Sequence, residues 1–86
     1  MNPTLMRAVV EAIVFAGLSN DQVIQQDAAV AQLEQLASIL KGLPQQERTA
    51  FVTYVQTMAT AEERDSGRSP RVEFLLSIPE SLGLRD

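Results

Sequence analysis

The 86-residue chain contains no cysteine, no histidine and no tryptophan, and its only lysine is Lys41. Without cysteine there is no disulfide to staple the fold and no thiol to act as nucleophile or metal ligand. Without histidine the chain lacks the side chain that titrates near neutrality and the commonest metal ligand. Zinc fingers, haem ligation and Ser–His–acid catalysis are therefore excluded by composition. Aromatic residues are scarce, at three Phe and one Tyr. The core must be built from Leu, Val, Ile, Ala and Met, which suits close helix–helix contact more than a deep ligand pocket. The longest apolar run, Ala12 to Leu18, falls well short of the roughly 20 residues that a membrane-spanning helix requires. The apolar start of the chain carries Arg7 but is interrupted by Glu11, which fits an amphipathic first helix better than a signal peptide.

What remains is 45% apolar and 21% charged, inside the globular range. The length suffices for one small domain, residues 1–86. A domain of this size buries only about 60–65% of its unfolded surface, so its stability depends on tidy packing or on a second subunit.

Charge is distributed unevenly. The formal net charge is −4, and the segment from Ala8 to Leu40 holds four acids, Glu11, Asp21, Asp27 and Glu34, with no base. From Lys41 onward six bases nearly cancel seven acids. Nucleic-acid binding needs a basic stripe that displaces counterions, and this chain has the opposite. The same field repels anionic membrane surfaces and attracts a basic protein surface. The chain reads as a cytoplasmic protein with no nucleic-acid or membrane partner.

The hydrophobic pattern is helical throughout. It predicts an all-α, compact bundle of four helices with a short C-terminal turn. In the first helix, capped by Thr4, the residues Leu5, Met6, Val9, Ala12, Ile13 and Ala16 recur at helical spacing. Val10 and Val14 widen that stripe, so this helix can be contacted on more than one side, and Gly17 marks its end. The β-branched content (Val9, Val10, Ile13, Val14) offers a strand as the alternative; the length and the Arg7–Glu11 spacing favour the helix. Val23 and Ile24 tuck onto the core as a plug. Asp27 caps a second helix running to about Lys41, with Ala29, Leu33, Leu36 and Leu40 as the inward stripe, supported by Val30, Ala37 and Ile39; a start at Ser19 is the competing reading. Gly42 and Pro44 form a short link that makes the second and third helices antiparallel neighbours. The third helix spans about Gln45 to Arg64, with Phe51, Val52, Val55, Met58 and Ala59 inward. A polar link, Glu62 to Ser69, leads to a fourth helix capped by Ser69, with Pro70 at its first position and Pro79 at its stop. There Val72, Leu75 and Leu76 point inward, and Phe74 lies at the edge. Leu82 and Leu84 anchor a final turn closed by Gly83.

No arrangement of residues announces catalysis. Glu62, Glu63 and Asp65 cluster in sequence, and Asp21 and Asp27 could approach across a loop. Surface acids of this kind are ordinarily solvated or paired with nearby arginines. Asp65-Ser66-Gly67 lacks the alternating oxygen ligands of a calcium loop, and there is no glycine-rich phosphate loop. A helix-turn-helix reading of the second and third helices fails on charge. The expectation is a non-enzymatic binding module without metal or cofactor. Its partner-binding residues are Glu11, Asp21, Asp27 and Glu34. Asp21 and Asp27 sit in positions where capping and partner contact compete, capping leading and Asp21 being the more open to a partner.

The string Ser19-Asn-Asp-Gln-Val-Ile-Gln-Gln-Asp-Ala-Ala-Val30, with Leu33-Glu34, resembles a class of small helical bacterial proteins that occur as immunity proteins beside secreted toxins. So do Leu40-Lys-Gly-Leu-Pro-Gln-Gln-Glu-Arg48, Phe51-Val52, Tyr54-Val55, Glu73-Phe-Leu75 and Ile78-Pro-Glu-Ser-Leu-Gly-Leu84. Pro44 departs from that pattern, which places a Ser or Asp cap at the helix start. The resemblance implies a cytoplasmic, non-enzymatic protein that blocks a cognate protein toxin by occupying its active site or a nearby surface. An acidic inhibitor associates rapidly with a basic cleft through electrostatic steering. A helical homodimer or adaptor subunit, held by the wide apolar surface of the first helix, is the alternative.

Overall fold

A computed structural model describes residues 2–18 and 25–84 of the chain. The Ser19–Ile24 segment, including the plug residues Val23 and Ile24 and the candidate Asp21, lies outside the described residues. Four helices follow in order: α1 Pro3–Leu18, α2 Gln26–Lys41, α3 Gln45–Ser66 and α4 Pro70–Ser81. The all-α bundle expected from the periodicity is what forms.

The start of α1 is fixed by Asn2, not Thr4. The Asn2 Oδ1 accepts from the backbone N–H of Thr4 at 2.7 Å and of Leu5 at 3.3 Å, satisfying two donors that the first helical turn leaves open. The buried stripe is also rotated from the expected one. Met6, Val10, Ile13 and Val14 face the core at i, i+4, i+7 and i+8, while Leu5 and Ala12 point outward. A helix made apolar nearly all round offers several stripes, and the tertiary partners choose among them. Gly17 does not end α1, which continues through Leu18. Its missing Cβ instead admits the ring of Phe74: a Cβ built there would overlap that ring.

α1 is the hub of the bundle. It packs against α2, α3 and α4, and α3 packs closely along α4. The short link at Gly42–Pro44 therefore does not make α2 and α3 a packed hairpin. Gly42 keeps right-handed backbone angles (φ −75°, ψ −9°), and its N–H donates to Ile39 at 3.1 Å. Each helix of that pair spends its apolar stripe elsewhere, α2 on α1 and α3 on α4.

α2 begins at Gln26, one residue before the expected cap. Gln25, in extended conformation, precedes it and makes no side-chain cap, and the competing start at Ser19 lies outside the described residues. Asp27 thus lies inside the first turn, where a carboxylate complements the positive helix end. α3 starts with Pro44 as its N-cap, whose carbonyl accepts from Glu47 and Arg48, both at 2.9 Å. It runs two residues past Arg64, leaving only residues 67–69 as the link. α4 starts as predicted: Ser69 Oγ accepts from Val72 N–H at 3.1 Å, and Pro70 takes the first position.

Pro79 does not stop α4 but lies buried within its last turn. The stop comes at Gly83, φ 67°. Leu84 N–H donates to the Pro79 carbonyl at 2.8 Å, and Gly83 N–H to Glu80 at 3.1 Å. This crossed pair of bonds satisfies carbonyls that the helix end would orphan, and it needs a left-handed residue at Gly83. The turn folds Leu82 and Leu84 back into the core.

Phe51, Val55, Ala59, Leu75, Ile78, Val10 and Ile13 form the fully shielded centre of that core. Of the inward set expected on α4, Leu76 is 40% exposed. It sits about 100° round the helix from Leu75, off the stripe that meets α1 and α3.

Candidate functional site

The four acids singled out by the charge pattern occupy different settings. Glu11, on α1, is turned toward α3 and α4. Its carboxylate takes two hydrogen bonds from the Arg71 guanidinium, Nη1 to Oε1 at 3.0 Å and Nη2 to Oε2 at 3.2 Å. Arg71 Nε donates to Glu62 Oε1 at 2.8 Å. One α4 arginine thereby ties α1 to α3 with its whole planar fork, a geometry lysine cannot reproduce. The hydrogen bond to Glu62, and then that to Glu11, holds the guanidinium pKa above its ordinary range. Glu63 takes a separate partner, Arg68, at 3.5 Å. The acidic sequence cluster Glu62-Glu63 is thus divided between two arginines, as solvated surface acids ordinarily are.

Asp27 and Glu34 stand together. Both are exposed, and a spacing of seven residues puts them on one face of α2, about 10 Å apart along its axis. Val30, 47% exposed, lies between them on that face. Ile39, at 62%, is the most exposed large apolar side chain among the described residues. Asp21 lies outside the described residues, so of the four expected residues the structure places only Asp27 and Glu34 on a common open surface.

Beside this face runs an open groove of about 610 Å³ between α2 and the last turn of α4. Leu33, Ala37 and Leu82 give it an apolar floor, and Glu34, Lys41 and Glu80 stand on its rim. The Lys41 chain lies over Gly83, its Cε 2.9 Å from where a Cβ would be. The close approach of Gly83 shapes the end of the groove. Nothing in the charge pattern points to Lys41, Glu80 or Leu82 as neighbours. Of the residues expected to support the inward stripe of α2, Ala37 is buried but Val30 and Ile39 face out, because α2 meets its neighbours through a narrower stripe.

A second exposed feature is on α1. Leu5, Ala8, Ala12 and Phe15 follow one another at i, i+3, i+7 and i+10, all exposed, with Leu5 at 60% and Phe15 at 53%.

Among the described residues no three acidic side chains converge as a metal site would require. No described helix is long and apolar enough to cross a membrane. No family model matches this sequence, and no curated protein or solved structure matches it either.

Proposed function

We propose that this chain is a non-catalytic protein-binding module that neutralises a cognate bacterial toxin through the acidic face of α2. The observation that carries the reading is the pair Asp27 and Glu34. They are exposed on one helical face, flank an exposed Val30, and belong to a stretch without a base from Ala8 to Leu40. Exposed carboxylates beside apolar surface suit a partner that brings arginines or lysines together with aliphatic side chains. The class of partner comes from the resemblance to immunity proteins, and it places the inhibitor in the cytoplasm.

The test is capture from the native host, with wild-type protein and the double variant Asp27→Lys/Glu34→Lys as baits. Wild type retains a basic protein that is toxic when expressed alone, its activity is blocked by the wild-type chain, and the variant loses it. Identical retention by both baits, or a retained protein whose toxicity the chain does not relieve, overturns the reading.

The outward stripe on α1 favours a second reading, a homodimer or adaptor subunit. Leu5, Ala8, Ala12 and Phe15 run large, small, small, large, so two antiparallel copies would set Leu5 against Phe15 and Ala8 against Ala12. Light scattering separates this case: a dimer at micromolar concentration that Phe15→Glu turns into monomer supports it, and a strict monomer ends it.

A further inference from the structure

We infer that the groove between α2 and the last turn of α4 is where the partner docks, and that it receives an amphipathic helical segment carrying a row of aliphatic side chains and at least two bases. This rests on the reading of α2 as the binding face and names what that face holds.

The shape comes first. From Val30 to Lys41 the groove follows α2 for about 16 Å, or three helical turns. It is open along that length and floored by Leu33, Ala37 and Leu82. A helix laid into such a groove presents side chains at i, i+3, i+4 and i+7, the spacing that meets an apolar floor of this extent. Small-molecule sites are built differently, from enclosed cavities in which a few buried polar groups fix orientation. Among the described residues no polar or charged residue is buried.

Charge then selects the occupant. Glu34 stands on the groove rim, Asp27 continues the same face one turn beyond Val30, and Glu80 is on the opposite wall. A second copy of this chain would bring its own Asp27 and Glu34 toward these, and like charges brought face to face oppose association. A segment with two bases about two turns apart, opposite Asp27 and Glu34, places opposite charges together while its aliphatic side chains cover the floor. Lys41 closes the far end, so the two ends of the groove differ in sign and the segment enters in one direction.

The test uses the full chain, labelled with ¹⁵N, and two designed 16-residue helical peptides with leucines at i, i+3, i+4 and i+7. One peptide fills its polar face with lysine, the other with glutamate. The lysine peptide is expected to move backbone resonances of residues 30–41 and 80–83, saturably, and to bind at least ten-fold more tightly than the glutamate peptide. Val30→Lys, on an exposed groove position, is expected to weaken the lysine peptide at least ten-fold. Ile39→Lys adds the same charge on the same helix outside the groove lining and is expected to change it less than three-fold. Shifts that fall on α1 or α3, equal binding of both peptides, equal effects of the two variants, or no shift at millimolar peptide overturn the proposal. So does movement of the same resonances on dilution of the protein alone, which makes the occupant a second copy. A captured toxin that depends on Asp27 and Glu34 but tolerates Val30→Lys leaves the proposed function standing and removes the groove from it.

Discussion

Arg71 is the residue on which three helices converge, and its geometry sets what its loss should do. The guanidinium spends Nη1 and Nη2 on Glu11 and Nε on Glu62, so truncation removes three charge-assisted bonds and leaves two carboxylates without that partner. All three side chains keep between a third and a half of their surface in solvent, so water and salt recover much of the loss. Arg71→Ala is expected to destabilise the fold by about 1–2 kcal/mol, and Arg71→Lys to recover less than half of it, measured by urea unfolding. Because the guanidinium binds its proton more tightly in the fold, its contribution is fully present at acidic and neutral pH as far as its own titration goes. It is lost only as pH rises above the ordinary arginine range. Gly17 makes the opposite kind of case. Alanine would help an isolated helix by about 1 kcal/mol, but here its Cβ meets the Phe74 ring. Gly17→Ala is expected to cost about 1–2 kcal/mol net, the overpacking term outweighing propensity. In a Phe74→Leu background the same change is expected to become neutral or stabilising, a coupling that a double-mutant cycle of thermal melts reads directly.

At the scale of elements, what the sequence made legible was local chemistry with one strong answer. Ser69 followed by Pro70 is an unambiguous helix start, and Ser69→Ala is expected to cost about 1 kcal/mol in urea unfolding. The inner face of α3 was readable because Phe51, Val55 and Ala59 stand among threonines and charges that cannot compete for the core. Legibility failed where several answers were locally equivalent. α1 is apolar on most sides, so its own pattern could not say that Val10 and Val14 would be buried while Leu5 and Ala12 faced out. Gly17 resembled a helix stop because the residue that needs its missing Cβ, Phe74, is 57 positions away. Pro79 resembled a stop for a related reason. A proline forfeits one backbone bond in the last turn of a helix, and the Leu84-to-Pro79 and Gly83-to-Glu80 bonds close that turn regardless. The groove itself was not legible, since Leu33 and Leu82 become neighbours only through the packing of α1 with both α2 and α4.

The whole molecule combines a neutralised half and an acidic edge. From Lys41 onward bases and acids nearly balance, and Arg71 reaches back to absorb Glu11 from the base-free stretch. Asp27 and Glu34 keep their place on open surface at α2, a helix that packs on the hub α1 from one side. Reversing both charges is expected to cost about 1 kcal/mol of unfolding free energy, nearly all of it at Asp27, where lysine opposes the positive end of α2, while exposed Glu34 contributes little. It should strongly change encounter with a cationic surface, where steering acts on association rather than on dissociation. The most direct measurement is therefore the association rate constant between this chain and the basic protein that the proposed capture is expected to retain, for wild type and for Asp27→Lys/Glu34→Lys, at low and at high salt. The account predicts at least a ten-fold slower association for the variant at low salt, a gap that closes as salt is raised, with the variant still folded and only about 1 kcal/mol less stable. Equal association rates for the two proteins at low salt would contradict it.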